Sequence, residues 1–344
     1  MKISKIKLSL FALPIFLLMA ATSCSDNLTS FNNDAEGNFD ALWTILDRNY
    51  CFFEYKNIDW DSVYEEYRPR IANDMGTDAL FDVMGMMLAA LQDGHVNLIA
   101  AHDVSRYWEW KDDYPENFDL SVQKAYLKTD YSIAGGLEYK ILEDNVGYIY
   151  YGSFSGTATE SALNQILSRM AICHGIIIDV RGNGGGSLDN VDRIAGRFFN
   201  EKTHIGYISH KTGWGHNDFS ELYPRYINSS DNIRYQKPVV VLTNRSCYSA
   251  TNEFVSVMKY APNATILGDR TGGGSGLPFS SELPNGWSVR FSASPLFNAE
   301  KEQIEFGIDP DVKVELKDGD VARKIDTLIE AARSLIKEKA DNYK

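Results

Sequence analysis

The chain has 344 residues, enough for one large domain or about two at roughly 150 residues each. With 44% apolar and 24% charged residues, it has the composition of a globular protein able to bury a sizeable core. Its net charge of −13 disfavours nucleic-acid binding, which depends on basic patches set against phosphate.

The first 23 residues stand apart from that core. Lys2, Lys5 and Lys7 precede "LSLFALPIFLLMAAT", an apolar run too short to span a bilayer comfortably. Cys24 ends the small-residue run "AATSC", which resembles the lipobox of bacterial lipoproteins, with Ala21 where Leu is commoner. The sequence thus reads as a signal peptide over 1–23, a lipidated Cys24 and a polar tether over 24–36. An ordinary cleaved signal peptide is the other reading. Acyl chains contribute about 0.8 kcal/mol per buried CH₂, so several would hold the chain on a membrane. The expected location is the envelope of a Gram-negative bacterium, on the periplasmic or surface face. Without residues 1–23, 31 basic residues face 47 acidic ones, for a net charge of −16. Cys51, Cys173 and Cys247 form no CxxC and suit buried apolar positions better than a disulfide framework or zinc site.

Helical spacing runs from about 38 to 93. Phe39, Leu42, Trp43, Leu46 and Tyr50 share a face, "DWDSVYEEY" starts a second helix, and Thr77 caps a third with a Leu80, Met84, Met87, Leu88, Leu91 stripe. Gly94 reads as its left-handed cap. These elements form an N-terminal helical cap over 37–100. Residues 101–140 carry no clear period and read as a linker or covering loop. The aromatics of 106–118 fit a packed cap interface better than a substrate groove.

From 141 to 344 the style becomes α/β. "VGYIYYGSF", "GIIIDV", "HIGYISHKTG", "PVVVLTN" and "ATILGD" read as strands, with helices such as "ATESALNQILSRMAI" and "SATNEFVSVMKY" between them. "SSELPNGWSVRFS" is a hairpin turning at Asn285-Gly286, and "DVARKIDTLIEAARSLIKE" a closing helix.

Unusual residues collect at four element ends. Ser249 sits where the strand "VVVLTN" gives way to a helix. A serine there is most often a cap, but with a base in reach it is a nucleophile beside a positive helix end. "IIIDVRGNGGGS" places Gly182, Gly184, Gly185 and Gly186 after a buried strand. A phosphate cradle would need GxxxxGK[ST], and no Lys follows; an oxyanion loop needs one well-aimed N–H. His95 follows a helix stop in "LQDGHVNL" and has the right chemistry for a general base. Glu305 precedes the "GIDPD" turn and can orient a catalytic set or be one more surface acid. No HExxH is present.

Together "DGH", "IIIDVRGNGGG", "VVVLTNRSCYSATNEF", "ILGDRTGGGSG" and "EFGIDPDVKV" resemble the carboxyl-terminal processing (tail-specific) serine peptidases over about residues 90–315. The resemblance implies a ClpP/crotonase-like β-β-α core behind a helical cap. One branch places a catalytic lysine where Gly274 stands, so a Ser-Lys dyad is unavailable. The tricorn-like branch uses a histidine and a glutamate that match His95 and Glu305, with a serine where this chain has Gly94. Residues 100–140 are too short for the PDZ domain that many members insert. The implied roles are Ser249 as nucleophile, His95 as base and Glu305 as orienting or polarising acid. Ala250 with Gly185 or Gly186 would form the oxyanion site, and no cofactor or metal takes part. The substrate would be a polypeptide. The contrasting reading, motivated by Gly94 and Gly274, is a peptide- or ligand-binding lipoprotein without turnover.

Overall fold

The computed structural model describes residues 31–342, so the signal-peptide and Cys24 readings fall outside the described residues. Twelve strands are present among the described residues: β1 Asn97–Ile99, β2 Ser132–Ala134, β3 Leu137–Ile141, β4 Gly147–Tyr150, β5 Ile176–Asp179 and β6 Thr203–Ile208 come first. They are followed by β7 Tyr223–Ile227, β8 Val239–Thr243, β9 Ala264–Gly268, β10 Gly276–Glu282, β11 Ser288–Phe297 and β12 Val312–Lys313. No helix among the described residues is long and apolar enough to cross a membrane.

A seven-stranded sheet in the order β12-β9-β8-β5-β4-β3-β2 forms the centre, parallel from β12 to β4 and antiparallel beyond. The continuous apolar runs of β5 and β8 follow from burial on both faces. Ile176, Ile178, Val239 and Val241 join a core under helices Glu160–Met170, Leu188–Ala195 and Ala250–Met258. Ile177, Val240 and Leu242 point the other way, toward Leu127 and the Leu328, Ile329, Ala332, Ile336 stripe of helix Thr327–Asn342. The expected mixed α/β architecture is therefore observed.

A five-stranded antiparallel sheet, β1-β11-β6-β7 with β10 also on β11, connects this body to the cap. The β10–β11 hairpin forms at the expected place, with Gly286 at φ +86° in its loop. Its Leu283, Trp287, Val289 and Phe291 share a core with Phe39, Leu42, Leu46, Met84, Met87 and Leu88 of cap helices Ala35–Asn49 and Thr77–Ala89. The cap therefore completes its core with a hairpin about 200 residues downstream in the chain. Cys51, Cys173 and Cys247 are free and buried.

Four local expectations are corrected. Gly76, not Thr77, is the N-cap of Thr77–Ala89. Gln92, not Gly94, takes the left-handed conformation after that helix, at φ +47°. Residues 101–140 are not only loop: they contain helix Leu120–Leu127, β2 and the start of β3. The closing helix is broken at Lys324, φ +60°, between Asp318–Val321 and Thr327–Asn342. The break lets the buried carboxylate of Asp326 accept from the N–H groups of Leu328 and Ile329. The same carboxylate pairs at 2.9 Å with fully buried Arg181, which also pairs with Asp179. A buried arginine is tolerable only with such paired acceptors, and this cluster anchors the end of β5 where the glycine loop begins.

Candidate active site

Strand β8 ends at Thr243, and the chain turns through Asn244–Tyr248 into helix Ala250–Met258. Ser249 sits at the corner with φ +58° and ψ −123°, a conformation disfavoured for a residue with a Cβ. It is held there from both sides. Its N–H donates to Gly273 O at 2.8 Å, and its carbonyl accepts from Glu253 N–H at 3.0 Å. The hydroxyl makes no capping bond. Instead Ser249 Oγ lies 2.9 Å from His95 Nε2. Of the two roles open to a serine at this corner, the side chain takes the one that faces a base.

His95 is buried, with 4% exposure. Its backbone N–H donates to Asp93 Oδ1 at 2.8 Å. Burial is the main cause holding the imidazole down to about 4; Arg290 and Lys56 act in the same direction and Asp93 opposes them. The ring is thus neutral near pH 7, and Nε2 can accept the serine proton. Nδ1 is buried without a hydrogen-bond partner among the described residues.

Behind the histidine lies a buried cluster of one cation and two acids. Lys56 Nζ is 2.9 Å from Glu305 Oε1 and 3.6 Å from Asp93 Oδ2. Burial alone would depress the ammonium, but the two carboxylates raise it above its ordinary value. The acids divide unequally. Burial pushes Glu305 up to about 7 against the pull of Lys56. Asp93 is equally buried, yet Lys56, His95 and hydrogen bonds including that from Ser292 hold it below the usual carboxylate range. One ammonium cannot neutralise both acids, so Asp93, whose carboxylate accepts from His95 N–H, Tyr50 Oη and Ser292 Oγ, keeps the charge.

This geometry revises the role expected for Glu305. Its carboxylate accepts from Ser275 N–H at 2.8 Å and pairs with Lys56, with no hydrogen bond to Ser249 or His95. Its carbonyl accepts from Gly274 N–H. Glu305 therefore reaches the Ser/His pair only through Lys56 and the backbone at 273–275.

The glycine loop lies against the serine. A Cβ at Gly185 would stand 2.8 Å from Ser249 Cβ and 2.7 Å from Tyr248 O, and Gly185 has φ +105°. Only glycine fits there. The N–H of Gly185, however, is already donated to Asn183 Oδ1 at 2.9 Å, which removes it from the oxyanion candidates. Ala250 and Gly186 make no N–H hydrogen bond among the described residues, and both line the same small cavity as Ser249. Asn244 ties the two walls together, its Oδ1 accepting from Gly182 N–H at 3.0 Å.

Tyr248 accounts for both departures from the resembled pattern. A Cβ on Gly274 would meet Tyr248 Cζ at 2.4 Å; one on Gly94 would meet Tyr248 Oη at 3.0 Å and Trp110 Nε1 at 2.9 Å. The ring occupies the space a lysine or serine would need at those positions. It is buried, stacks on Trp110 with centroids 4.5 Å apart, and lies 5.0 Å from the His95 ring. The aromatic segment is thus part of the site: Trp108 and Trp110 line a cleft of about 640 Å³ that opens onto Ser249. A second cavity of about 120 Å³ lies past the serine, with Leu188, Leu277, Pro278 and Leu296 in its wall.

Comparison with known proteins places this chain in a family. Residues 145–314 match the model of peptidase family S41, and residues 31–89 match that of the tricorn protease C1 domain. A crystallised protein from Parabacteroides merdae shares 53% identity and a TM-score of 0.85, covering 89% of this chain and 97% of its own. This chain belongs to peptidase family S41.

The S41 chain is 26% identical over 206 residues to carboxy-terminal processing protease CtpA of Bacillus subtilis, covering 59% of this chain and 41% of CtpA. It is 27% identical over 205 residues to a carboxyl-terminal-processing protease of Synechocystis, covering 58% of this chain and 44% of the relative. It thus spans less than half the length of these curated relatives. Mature CPAF has the same fold, with a TM-score of 0.68 at 12% identity, over 90% of this chain and 99% of its own. Sequence reading missed Lys56, Asn244 and Arg290, and did not assign the Tyr248 ring a role. Lys56 looks like any lysine in "FEYKN"; only the fold shows that the position is buried.

Proposed function

We propose that this chain is a serine peptidase that hydrolyses peptide bonds through an acyl-enzyme. The 2.9 Å contact between Ser249 Oγ and His95 Nε2, made by a serine that does not cap its helix, carries the reading. Ser249 Oγ attacks the peptide carbonyl while His95 Nε2 takes its proton. The tetrahedral oxyanion is received by the N–H groups of Ala250 and Gly186 at the start of a helix. His95 then returns the proton to the leaving amine. Water, deprotonated by the same imidazole, attacks the acyl-enzyme and frees Ser249. Asp93 stabilises the imidazolium that forms at each transfer, because its negative charge lies two residues away along the backbone and is held ionised by Lys56. Glu305 and Lys56 are positioning residues for that carboxylate. Family membership and the carboxy-terminal processing relatives support a polypeptide substrate.

Fragment profiling of a cell-envelope proteome with wild type against Ser249→Ala tests the reading. Loss of nucleophile or base costs on the order of 10⁴- to 10⁶-fold in a working triad. Fragments formed by wild type alone, and lost in His95→Ala, are expected. Identical profiles would contradict it. His95 Nδ1, which has no hydrogen-bond partner among the described residues, is the observation that favours the second reading, a peptide-binding protein without turnover. That reading expects peptide binding with no cleavage in any of the three proteins.

The order of lysines, short apolar run and Cys24 supports export and lipid anchoring at the bacterial envelope. Metabolic labelling with a fatty-acid probe, lost in Cys24→Ala, is the expected result; label retained in that variant would contradict the anchor.

A further inference from the structure

The cleft that opens onto Ser249 has a charge composition opposite to that of the chain. Acidic residues outnumber basic ones by 47 to 34 overall. Yet the charged side chains lining the cleft are Arg106, Lys111 and Arg290, and no carboxylate is among its walls. None of the three forms an ion pair among the described residues. Lys111 rests over the Trp108 ring at 5.6 Å instead.

Arg290 is the most telling of the three. It sits on β11 between Asn97 of β1 and Ser280 of β10, both neutral. It lines the wide cleft and the small cavity alike, which places it at their junction beside Ser249. It is half-buried, and its guanidinium makes no side-chain hydrogen bond among the described residues. The carboxylate in the small cavity, Glu253, is already paired at 2.7 Å with Arg225. A guanidinium presents a planar fork that matches a carboxylate, and leaving it unpaired in a partly desolvated groove is costly unless a ligand completes it. Positive charge gathered in a concave wall also draws anions from solution, against the repulsion of an acidic surface.

We propose that the cleft recognises a carboxylate of the peptide, with Arg290 as its anchor beside the scissile bond and Arg106 and Lys111 as supporting cations. The inference rests on the peptidase reading for its consequence in turnover, though not for binding. The carboxylate has two sources: the free end of a chain, or an Asp or Glu side chain. A carboxylate docked on Arg290 would also offset the cation that disfavours the His95 imidazolium, so such substrates should show a pH profile displaced upward relative to neutral ones.

The experiment is calorimetric titration of full-length Ser249→Ala with matched alanine–leucine hexapeptides. One carries a free C-terminus, one is amidated, and two are amidated with internal Glu or Gln. The expected result is at least tenfold tighter binding of one or both carboxylate-bearing peptides. That preference should vanish when Arg290→Gln is added, survive in part in Arg290→Lys, and shrink as salt rises. Which peptide gains identifies the source. If Arg290→Gln fails to fold, Arg106→Gln/Lys111→Gln, both at exposed positions, must still weaken the preference. Equal affinities, no binding of any peptide at millimolar concentration, or a preference untouched by these substitutions would overturn the proposal. A carboxylate preference in binding, with no cleavage by wild type, would defeat the peptidase reading alone. Cleavage of charged and amidated peptides at equal rates would defeat this inference alone.

Discussion

The burial of His95 predicts an unusual pH profile. A free imidazole titrates near 6.5. In the fold, desolvation, Arg290 and Lys56 bring His95 to about 4. The gap, roughly 2.5 in pH, corresponds to about 3 kcal/mol against the imidazolium. Because the neutral ring is the active base, the acid limb of kcat/KM on an amidated neutral peptide should fall near pH 4 to 5, not near 6.5. The same gap appears in stability. Above pH 6.5 His95 is neutral both folded and unfolded and contributes no pH dependence. As pH falls below 6.5, the unfolded chain binds a proton that the folded chain refuses, so stability is lost down to about pH 4. The loss should reach about 3 kcal/mol more in wild type than in His95→Ala. Initial rates from pH 3.5 to 8, paired with urea melts of both proteins over the same range, measure both effects. A limb at 6 to 7 and parallel melts for the two proteins would refute the claim that desolvation governs this histidine.

The buried Lys56 cluster and the Tyr248 ring give two further expectations. Lys56→Met leaves two buried acids without their cation and should cost about 3–5 kcal/mol, whereas Glu305→Gln, which mimics the protonated form that burial favours, should cost far less and keep kcat within roughly tenfold. Chemical melts and kcat of both variants check this; a collapse of kcat at constant KM in Glu305→Gln alone would show instead that the acid acts on the reaction. Gly274→Ala puts a methyl against the Tyr248 ring at a residue with φ +76°, for a cost of roughly 2–4 kcal/mol with loss of activity. Adding Tyr248→Ala should restore part of the stability; no recovery in thermal melts would mean the ring is not what excludes a side chain there.

Much of this site was legible because its chemistry needs particular residue types at strand ends. Ser249, His95 and the glycines after β5 announce themselves by type and by their position after apolar runs. The details that change roles come from tertiary packing. Gly185 looked as suitable a donor as Gly186 until Asn183 was seen to take its N–H. Glu305 matched a motif position, but the sequence has no means of showing that Lys56, about 250 residues earlier, would occupy its carboxylate. Gly94 and Gly274 looked like losses, and the stacked Tyr248 and Trp110 rings explain both, Tyr248 alone at Gly274 and the two together at Gly94. The break at Lys324 carries no Pro or Gly, and its cause, Asp326 reaching Arg181 across 145 positions, is invisible to local pattern.

Reaction with a fluorophosphonate followed by peptide mass spectrometry tests the Ser249–His95 pairing most directly. A single adduct on the peptide containing Ser249, absent in Ser249→Ala and strongly slowed in His95→Ala, is the predicted result. An unmodified Ser249 in folded wild type, at any pH from 5 to 8, would contradict it.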